Sequence, residues 1–239
     1  MSSHLERDYW HPSVVLGRLV VLRRHRPENL SHVVRWYRDP ELARLTRYHL
    51  RPMSLEEIER FFVTRLLADD SIAYGIHERA TERLIGLTTF SSLDPDNASV
   101  LFHITIGEHD AWGQGFGTET TELMLAHAFE RLGLHRVGLS VFAFNQRAVR
   151  AYEKAGFRIE GRLREAIARD GGFSDELQMG VLREEWLASR LAARGPERVA
   201  TAAGAGAVAG VAAVAGVGTV AGGGPGSNGS APGTSRNEP

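Results

Sequence analysis

The feature that most constrains this chain is an apolar strand that leads through a turn into three closely spaced glycines and then a helix. The segment reads Ile104-Thr-Ile-Gly-Glu-His-Asp-Ala-Trp-Gly-Gln-Gly-Phe-Gly117-Thr-Glu-Thr120. Glycines at 113, 115 and 117 allow backbone N–H groups to approach a ligand closely. The helix that follows directs its unpaired N–H groups and the positive end of its dipole at the same place. The pattern therefore predicts an anion site suited to a phosphate or a pyrophosphate.

Two common phosphate loops are excluded by the residues around these glycines. A Walker A loop ends in Gly-Lys-Ser/Thr, but Gly117 is followed by Thr118-Glu119, and the single lysine of the chain is Lys154. A dinucleotide fingerprint needs a third small residue where this chain has Thr120, and an acidic residue about 20 positions further on. The predicted strand there ends instead in Phe-Ala-Phe-Asn145.

The glycine loop resembles the coenzyme A site of the GNAT N-acetyltransferase superfamily, which reads Arg/Gln-x-x-Gly-x-Gly/Ala. Trp112-Gly-Gln-Gly-Phe-Gly117 fills that pattern here. A second segment, Asn145-Gln-Arg-Ala-Val-Arg-Ala-Tyr-Glu-Lys-Ala-Gly-Phe157, is similar to the superfamily's Asn…Ala…Tyr-x-x-x-Gly-Phe. The two occur in the right order and at the right separation, and the resemblance covers roughly residues 17–187. It looks closest to the branch of bacterial ribosomal-protein N-terminal acetyltransferases and spermidine acetyltransferases.

Strands grouped with interspersed helices predict an α+β (mixed α/β) domain. The predicted strands are Leu16–Leu22, Ser71–His77, Leu84–Ser91, Ser99–Ile106, Arg136–Phe142, Arg158–Ala166 and Glu176–Leu182. The predicted helices are Leu30–Arg38, Leu55–Leu67 behind a Ser54…Glu57 capping box, Thr118–Leu132, a helix capped by Asn145, and Glu184–Ala193. The resemblance implies a central mixed sheet of about seven strands, flanked by helices and splayed between strands four and five.

Composition limits the partners and the chemistry. The net charge of −1 gives no reason to expect a nucleic acid or an anionic membrane as a partner. Because there is no cysteine, disulfides, thiolate metal sites and an acetyl-cysteine intermediate are excluded, and we expect no metal. The N-terminus carries no apolar signal region, and we expect a cytoplasmic protein.

Three segments are predicted along the chain: an N-terminal extension (1–15), the domain (16–194) and a tail (195–239). The tail is almost entirely Ala, Gly and Val over Thr201–Gly224, and then rich in Gly, Ser and Pro, so we expect it to be disordered. A membrane-spanning helix is the alternative, since roughly 20 uncharged residues can cross a bilayer. Frequent glycine and the lack of Leu, Ile, Phe and Trp make insertion weakly favourable at best.

The reaction that the resemblance implies is direct attack of a neutral amine on the thioester of acetyl-CoA in a ternary complex. At pH 7.4, deprotonation costs a lysine-type amine about 4 kcal/mol and an α-amine less than about 1 kcal/mol. Tyr152 stands where the superfamily often has the general acid that protonates the departing thiolate. The alternative is a packed tyrosine whose hydroxyl bonds to a neighbour.

The coenzyme contacts follow from the same resemblance. The loop N–H groups should hold the pyrophosphate, the backbone of the fourth strand should pair with the pantetheine, and Arg147 is a candidate for a phosphate contact. Asn145 is either a ligand contact or a plain helix cap, and Trp112 departs from the superfamily's Arg/Gln. The predicted set is Ile104, Ile106, Trp112, Gly113, Gln114, Gly115, Phe116, Gly117, Thr118, Asn145 and Arg147.

The general base is left open by the sequence. Related enzymes often carry a glutamate on the fourth strand or its neighbour, where this chain has Leu101. The candidates are His103 on the same strand, whose ordinary pKa of about 6.5 suits the task, Glu108 just beyond it, and a water relay.

The acceptor is also left open. The segment that lines the acceptor pocket in the superfamily is here Arg44-Leu-Thr-Arg-Tyr-His-Leu-Arg51, which is basic and disfavours a polycation such as spermidine. It suits an acidic peptide, an anionic small molecule or a dicarboxylic acyl group, unless it is simply a solvated loop. We predict an acetyl-CoA-dependent N-acetyltransferase acting on a protein N-terminus or a small-molecule amine, with homodimerisation possible. The alternatives are a transferase of another acyl group such as succinyl, a catalytically silent acyl-CoA-binding module, and an interaction protein.

Overall fold

The computed structural model describes residues 11–194 and contains one mixed sheet of eight strands. The strands are β1 (Val14–Leu16), β2 (Val20–Arg24), β3 (Ala73–Glu78), β4 (Leu84–Asp94), β5 (Ser99–Ile106), β6 (Arg136–Phe142), β7 (Arg158–Arg169) and β8 (Gly172–Leu182). Their order across the sheet is β1-β2-β3-β4-β5-β6-β8-β7. All neighbouring pairs are antiparallel except β5 and β6, which confirms the predicted mixed sheet.

Six α-helices flank the sheet within the described residues. They are α1 (Leu30–Arg38), α2 (Pro40–Thr46), α3 (Leu55–Phe61), α4 (Phe116–Ala126), α5 (Gln146–Lys154) and α6 (Arg183–Arg194). Helices α3 and α4 each continue as a π-helical turn, over Phe62–Leu66 and His127–Arg131. The predicted capping box is confirmed, because Ser54 and Glu57 exchange backbone-to-side-chain hydrogen bonds at 2.8 and 3.1 Å.

The first predicted strand proves to be two strands. A turn at Gly17 separates β1 from β2, and the Gly17 N–H donates to the Val20 carbonyl at 2.9 Å. The carboxylate of Glu119 in α4 accepts from the N–H groups of residues 18 and 19 in the turn and of Val20 at the start of β2, at 2.6 to 2.9 Å. This remote partner is why an apolar run that reads as one strand folds back, and why the sheet has eight strands instead of about seven. Strand β1 starts at Val14, two residues before the predicted start of the domain.

Helix α2 was not predicted, although its signals are local. Asp39 caps it by accepting from the N–H groups of Glu41 and Leu42 at 2.8 and 3.0 Å, and Pro40 occupies its first position. The basic segment 44–51, which the sequence presents as a loop, therefore begins inside a helix.

The sheet opens between β5 and β6, as the resemblance implied. The two strands pair only from Ser99–Leu101 to Arg136–Gly138, although β5 continues to Ile106 and β6 to Phe142. One face of the sheet packs on α4, α5 and α6 through Phe102, Met124 and Phe129. The other face packs on α1–α3 through residues such as Trp36 and Phe62. The opening therefore lies at the boundary of two cores.

The tail (195–239) and most of the N-terminal extension lie outside the described residues. The Ala/Gly/Val run and its membrane alternative fall in that part of the chain. Among residues 11–194, no helix has both the length and the apolar character needed to span a bilayer.

Candidate active site

A cavity of about 1100 Å³ lies where β5 and β6 diverge, and residues from both faces of the sheet line it. Its coenzyme side, as the resemblance assigns it, is formed by the glycine loop before α4 and by α5. Its other side is formed by the ends of α1–α3. The lining includes Arg47, Arg65, Ser91, His103, Ile104, Ile106, Trp112, Gly113, Gly115, Gly117, Thr118, Asn145, Arg147 and Tyr152. The opening thus joins two faces that a continuous sheet would separate.

The glycine loop presents an open helix N-terminus to this cavity. Gly113 and Gly115 have φ of +77° and +90°, conformations that side chains rarely adopt, and Gly115 is the N-cap of α4. Within residues 11–194 no side chain caps this helix, so its first N–H groups are left for a ligand. If residue 117 had a Cβ, its nearest neighbour would be Cγ1 of Ile106 at 3.8 Å, an ordinary packing distance, so the space beside Gly117 is not crowded. The geometry fits the pyrophosphate of a coenzyme held by main-chain donors.

Trp112 is integrated into the loop by contacts on its ring and its nitrogen. Its Nε1 donates to the carbonyl of Ile106 at 2.8 Å, and the His109 ring stacks on it with centroids 4.1 Å apart. The guanidinium carbon of Arg147 lies 3.7 Å from the centre of the Trp112 ring, a cation–π contact. The cation that the superfamily often carries in the loop is therefore supplied next to the loop by α5.

The other loop and strand residues show how the backbone is displayed. Gln114 turns its amide back to the Asp110 carbonyl, and Phe116 is buried under the start of α4. Ile104 and Ile106 pack against the core and lie beyond the part of β5 that pairs with β6. Their backbone thus borders the opening, as a pantetheine-pairing role requires.

Asn145 performs the capping role considered from the sequence. Its Oδ1 accepts from the N–H of Ala148 at 3.2 Å, which caps α5. Its Nδ2 donates to the carbonyl of Leu45, at the end of α2, at 3.4 Å. Asn145 thereby ties the coenzyme side of the cavity to the other side, while a contact with the ligand stays a prediction.

Tyr152 lies on α5 with its ring buried and its hydroxyl unengaged. The ring packs edge-on to Phe102 and Phe157, with centroids 6.3 and 5.8 Å away. Within the described chain its hydroxyl forms no hydrogen bond, so the packed-and-bonded alternative lacks its partner. Burial raises the pKa of the phenol, which keeps its proton in place over the working pH range. A protonated phenol that lines the cavity is suited to act as a general acid.

His103 lies on β5 and lines the cavity together with Leu101. Its Nε2 is 2.7 Å from Oγ of Ser91 on the neighbouring strand. Desolvation lowers the pKa of the imidazole, which is therefore neutral at pH 7 and able to accept a proton. Leu101, where related enzymes often have glutamate, is 43% exposed and offers no acid–base group.

The carboxylate of Glu108, the other candidate base, is engaged by side chains of α1, and its catalytic role stays a prediction. The carboxylate accepts from Nε1 of Trp36 at 2.9 Å and forms an ion pair with Arg35. It turns toward α1 and does not line the cavity. Glu108 follows β5 closely in sequence but lies beyond the end of the strand, where the amides of Gly107 and Glu108 both donate to the Ile85 carbonyl, at 2.8 and 3.2 Å.

The arginines of segment 44–51 differ in their surroundings. Arg44 pairs with Asp170, its Nε 3.0 Å from Oδ2, and Arg51 pairs with Glu57 through two hydrogen bonds of 2.9 and 2.6 Å. Neither lines the cavity. Arg47 does line it, and in the described part of the chain its Nε and one terminal nitrogen are buried without a hydrogen-bond partner.

Two buried charged residues, which the sequence patterns do not predict, hold this segment in place. Arg169, 7% exposed, donates to the carbonyls of Arg44, Arg47 and Tyr48 at the end of α2. Glu176, 4% exposed, accepts from the Tyr48 hydroxyl, and burial together with this hydrogen bond raises the pKa of Tyr48 to about 12. Each of these two residues lies more than 120 positions from its partners in segment 44–51, so no local sequence pattern predicts the contacts.

Cations dominate the charged residues of the cavity wall. Of the described residues that line it, five carry a positive charge and one carries a carboxylate: Arg47, Arg65, Arg147, Arg150 and Lys154 against Asp70. Among residues 11–194 there is no group of three or more His, Asp or Glu side chains arranged to hold a metal ion.

Comparison with known proteins gives consistent matches. Residues 19–158, more than half of the chain, match the family described as "Acetyltransferase (GNAT) domain". The spermidine N(1)-acetyltransferase of Vibrio cholerae is 31% identical over 135 residues, which are 56% of this chain and 76% of that protein. The uncharacterized N-acetyltransferase YokL of Bacillus subtilis is 28% identical over 179 residues, covering 74% and 95% of the two chains.

Solved structures agree on the fold. A putative acetyltransferase from T. thermophilus is 29% identical with a TM-score of 0.61, and the match covers 77% of this chain and 97% of that one. The Vibrio cholerae spermidine N-acetyltransferase in complex with CoA and spermine is 24% identical with a TM-score of 0.64, covering 72% and 99%.

Proposed function

The chain belongs to the GNAT acetyltransferase family and is an N-acetyltransferase that uses acetyl-CoA, and from that premise we propose that it acetylates a primary amine directly in a ternary complex. The acceptor is the N-terminus of a protein or the amine of a small molecule. The observation that carries this proposal is the cavity at the opening of the sheet. It brings together an uncapped helix N-terminus, an unengaged tyrosine hydroxyl and a neutral histidine.

In this proposal the coenzyme is held mainly by backbone. The N–H groups of residues 113–118 bind the pyrophosphate, and Arg147 adds a positive charge next to them. The unpaired edge of β5 around Ile104–Ile106 binds the pantetheine in the manner of a neighbouring strand. Acetyl-CoA supplies a thioester as the activated acyl donor, and a backbone N–H at the opening polarises its carbonyl.

Two side chains move the protons. His103 accepts a proton from the acceptor amine, whose lone pair then forms the C–N bond to the acetyl carbon. Tyr152 donates its proton to the sulfur as the C–S bond breaks. The nitrogen loses its second proton to solvent as the amide forms, and His103 and Tyr152 return to their starting protonation states by releasing a proton to solvent and taking one from it. The buried phenol of Tyr152 and the neutral imidazole of His103 have the protonation states that these roles demand. A water relay to bulk solvent is the alternative route for the amine proton.

The test is thiol release from acetyl-CoA and from succinyl-CoA with a panel of N-terminal peptides, polyamines, aminoglycosides and free amino acids. CoA binding is measured in parallel by calorimetry. Release that depends on one acceptor class would support the proposal and identify the substrate. Micromolar CoA binding without release from any acceptor would favour a silent acyl-CoA-binding module, for which Leu101 in place of a glutamate is the supporting residue.

A further inference from the structure

Arg47 differs from the two arginines that flank it in the basic segment. Arg44 and Arg51 form ion pairs with Asp170 and Glu57 and do not line the cavity, whereas Arg47 does. Within residues 11–194 its guanidinium forms no ion pair, and its Nε and one terminal nitrogen are shielded from water without a hydrogen bond. Of the three positive charges in this segment, only that of Arg47 is both inside the cavity and unbalanced.

Among residues 11–194, no neighbouring group compensates this charge. The Tyr37 phenol, which lines the same cavity, stays neutral because burial raises its pKa. The buried carboxylate of Glu176 is engaged by the Tyr48 hydroxyl. The carboxylate of Asp70 is exposed at the cavity wall and forms no ion pair with Arg47 in the described chain. A partly desolvated guanidinium without a partner is unfavourable for the folded state, and an anionic ligand would relieve that cost.

The segment is held so that Arg47 stays at the cavity. The guanidinium of Arg169 donates hydrogen bonds to the carbonyls at the end of α2, including that of Arg47 itself. The Arg47 backbone is therefore anchored, while its side chain has no hydrogen bond within residues 11–194 that fixes its rotamer. It is free to turn toward a carboxylate and bind it through two parallel N–H donors.

The position of Arg47 identifies which part of a substrate it meets. Arg47 follows α2, on the face of the sheet that packs on α1–α3. Leu87 belongs to that face, and its cross-strand partner is Thr105, just as His103 is the partner of Thr89, so His103 and Thr105 lie on the same face. The cations of α5, Arg147 and Lys154 among them, lie on the coenzyme side. The charge of Arg47 therefore belongs to the acceptor half of the cavity.

We propose that Arg47 binds a substrate carboxylate and that the acceptor is an amine bearing a carboxylate, such as an amino acid or an acidic peptide. This rests on the proposed function. It separates this chain from the relatives named spermidine acetyltransferases, because a polycation would meet a wall with more positive than negative groups. A dicarboxylic acyl-CoA would also present a carboxylate to Arg47, but from the acyl donor instead of the acceptor. The test distinguishes these two sources.

The test compares the full-length protein with Arg47→Gln, and Arg51→Gln is the matched control. Arg51 is four residues away, carries the same charge and does not line the cavity. Acceptors are used in pairs that differ only in a carboxylate: β-alanine with propylamine, and peptides with Glu or Gln at the second position. Arg47→Gln should raise KM for the carboxylate member at least about tenfold and leave its partner within about twofold, as expected for a lost charge-assisted contact. Arg51→Gln should change neither.

The second part of the test compares succinyl-CoA with acetyl-CoA as donors, using an acceptor amine that carries no carboxylate. A rise in the KM of succinyl-CoA alone would assign Arg47 to the acyl donor and overturn the acceptor assignment. Equal KM changes for both members of each pair, or no change, would overturn the carboxylate site altogether.

Calorimetry with the protein–CoA complex and glutarate as the probe does not require turnover. Binding that Arg47→Gln abolishes and Arg51→Gln preserves supports the carboxylate site even if no acceptor reacts, and no difference between the variants contradicts it. Failure of CoA itself to bind would instead count against the proposed function. The melting temperature of Arg47→Gln should be equal to or above that of the parent, since an uncompensated charge is removed.

Discussion

The two halves of the cavity are built in opposite ways. The coenzyme half consists of main-chain donors in residues 113–118 and of α5, which begins fewer than 30 residues later. The acceptor half is held by side chains that meet across the chain, with Arg44 and Asp170 separated by 126 positions and Tyr48 and Glu176 by 128. A half built from backbone keeps its ligand when most side chains change, whereas the half built from side chains can acquire a new specificity through a few substitutions. Substitutions in the two halves should therefore have different effects.

The largest expected effect is on kcat, through loss of the proton donor for the acyl-transfer step, in which the coenzyme and the acceptor react. Tyr152→Phe keeps the ring against Phe102 and Phe157 but removes the proton donor, so kcat should fall roughly 10²–10⁴-fold with every acceptor. CoA affinity should be unchanged. Tyr74→Phe is the control, since it deletes a buried hydroxyl that does not line the cavity. A kcat within threefold of the parent for Tyr152→Phe would remove this residue from catalysis.

The next effect should depend on the acceptor, because His103 faces that half. The pKa of His103 is lowered, so its basic form is retained at pH 6.5 and its protonation reduces kcat only at lower pH. His103→Gln should lower kcat about 10²-fold for a lysine-type amine and less for an α-amine, whose deprotonation costs about 3 kcal/mol less. The measurement is kcat against pH for both amines, with the exposed His49→Gln as the control. An unchanged acidic limb would favour the water relay.

Loss of the clamp on the acceptor segment should affect that half alone. Arg169→Met removes hydrogen bonds to three carbonyls, and we expect a loss of about 2 kcal/mol in the free energy of unfolding and a roughly tenfold higher acceptor KM. CoA affinity should stay within twofold. Arg162→Met on the same strand, which breaks an exposed pair with Asp175, is the matched control. Equal damage to CoA binding would show that the two halves are not independent.

A backbone change should be the effective way to damage the coenzyme half. Gly115→Ala places a side chain at φ +90°, and the resulting strain of roughly 1–3 kcal/mol should weaken CoA binding about tenfold. Gly133→Ala is strained in the same way, at φ +66° beyond α4, and should lower the melting temperature without changing CoA affinity. Calorimetric titration of CoA into both variants separates a local loss of binding from a general loss of stability.

The smallest effect should come from a side chain in the coenzyme half. Arg147→Gln removes the cation that lies over Trp112, yet the N–H groups of the loop remain, so the KM for acetyl-CoA should rise only about threefold to fivefold. The rise should shrink at high salt. A loss of a hundredfold would show that the coenzyme half depends on side chains as much as the acceptor half does.

The same contrast explains what could be predicted from the sequence. The glycine loop, the cap at Asn145 and the opening beside β5 follow from local patterns and a family resemblance, and the structure has each of them. The β1–β2 turn and the clamp by Arg169 depend on partners about a hundred residues away, and no periodicity encodes those. Glu108 is a candidate base from its position just after β5 in the sequence, but Arg35 and Trp36, which bind its carboxylate, cannot be predicted as its partners from that position.

The opening of the sheet also has a consequence for how long the protein survives. Among residues 11–194, strands β5 and β6 have no strand neighbour along their facing edges beyond Leu101 and Gly138, so these edges present unpaired N–H and C=O groups. A pantetheine arm that pairs along β5 would act as the missing strand and add RT ln(1 + [L]/Kd) to the stability of the fold. Amide exchange and proteolysis at the inner edge should therefore slow as coenzyme concentration rises. The abundance of the folded protein would then follow the metabolic supply of its own donor.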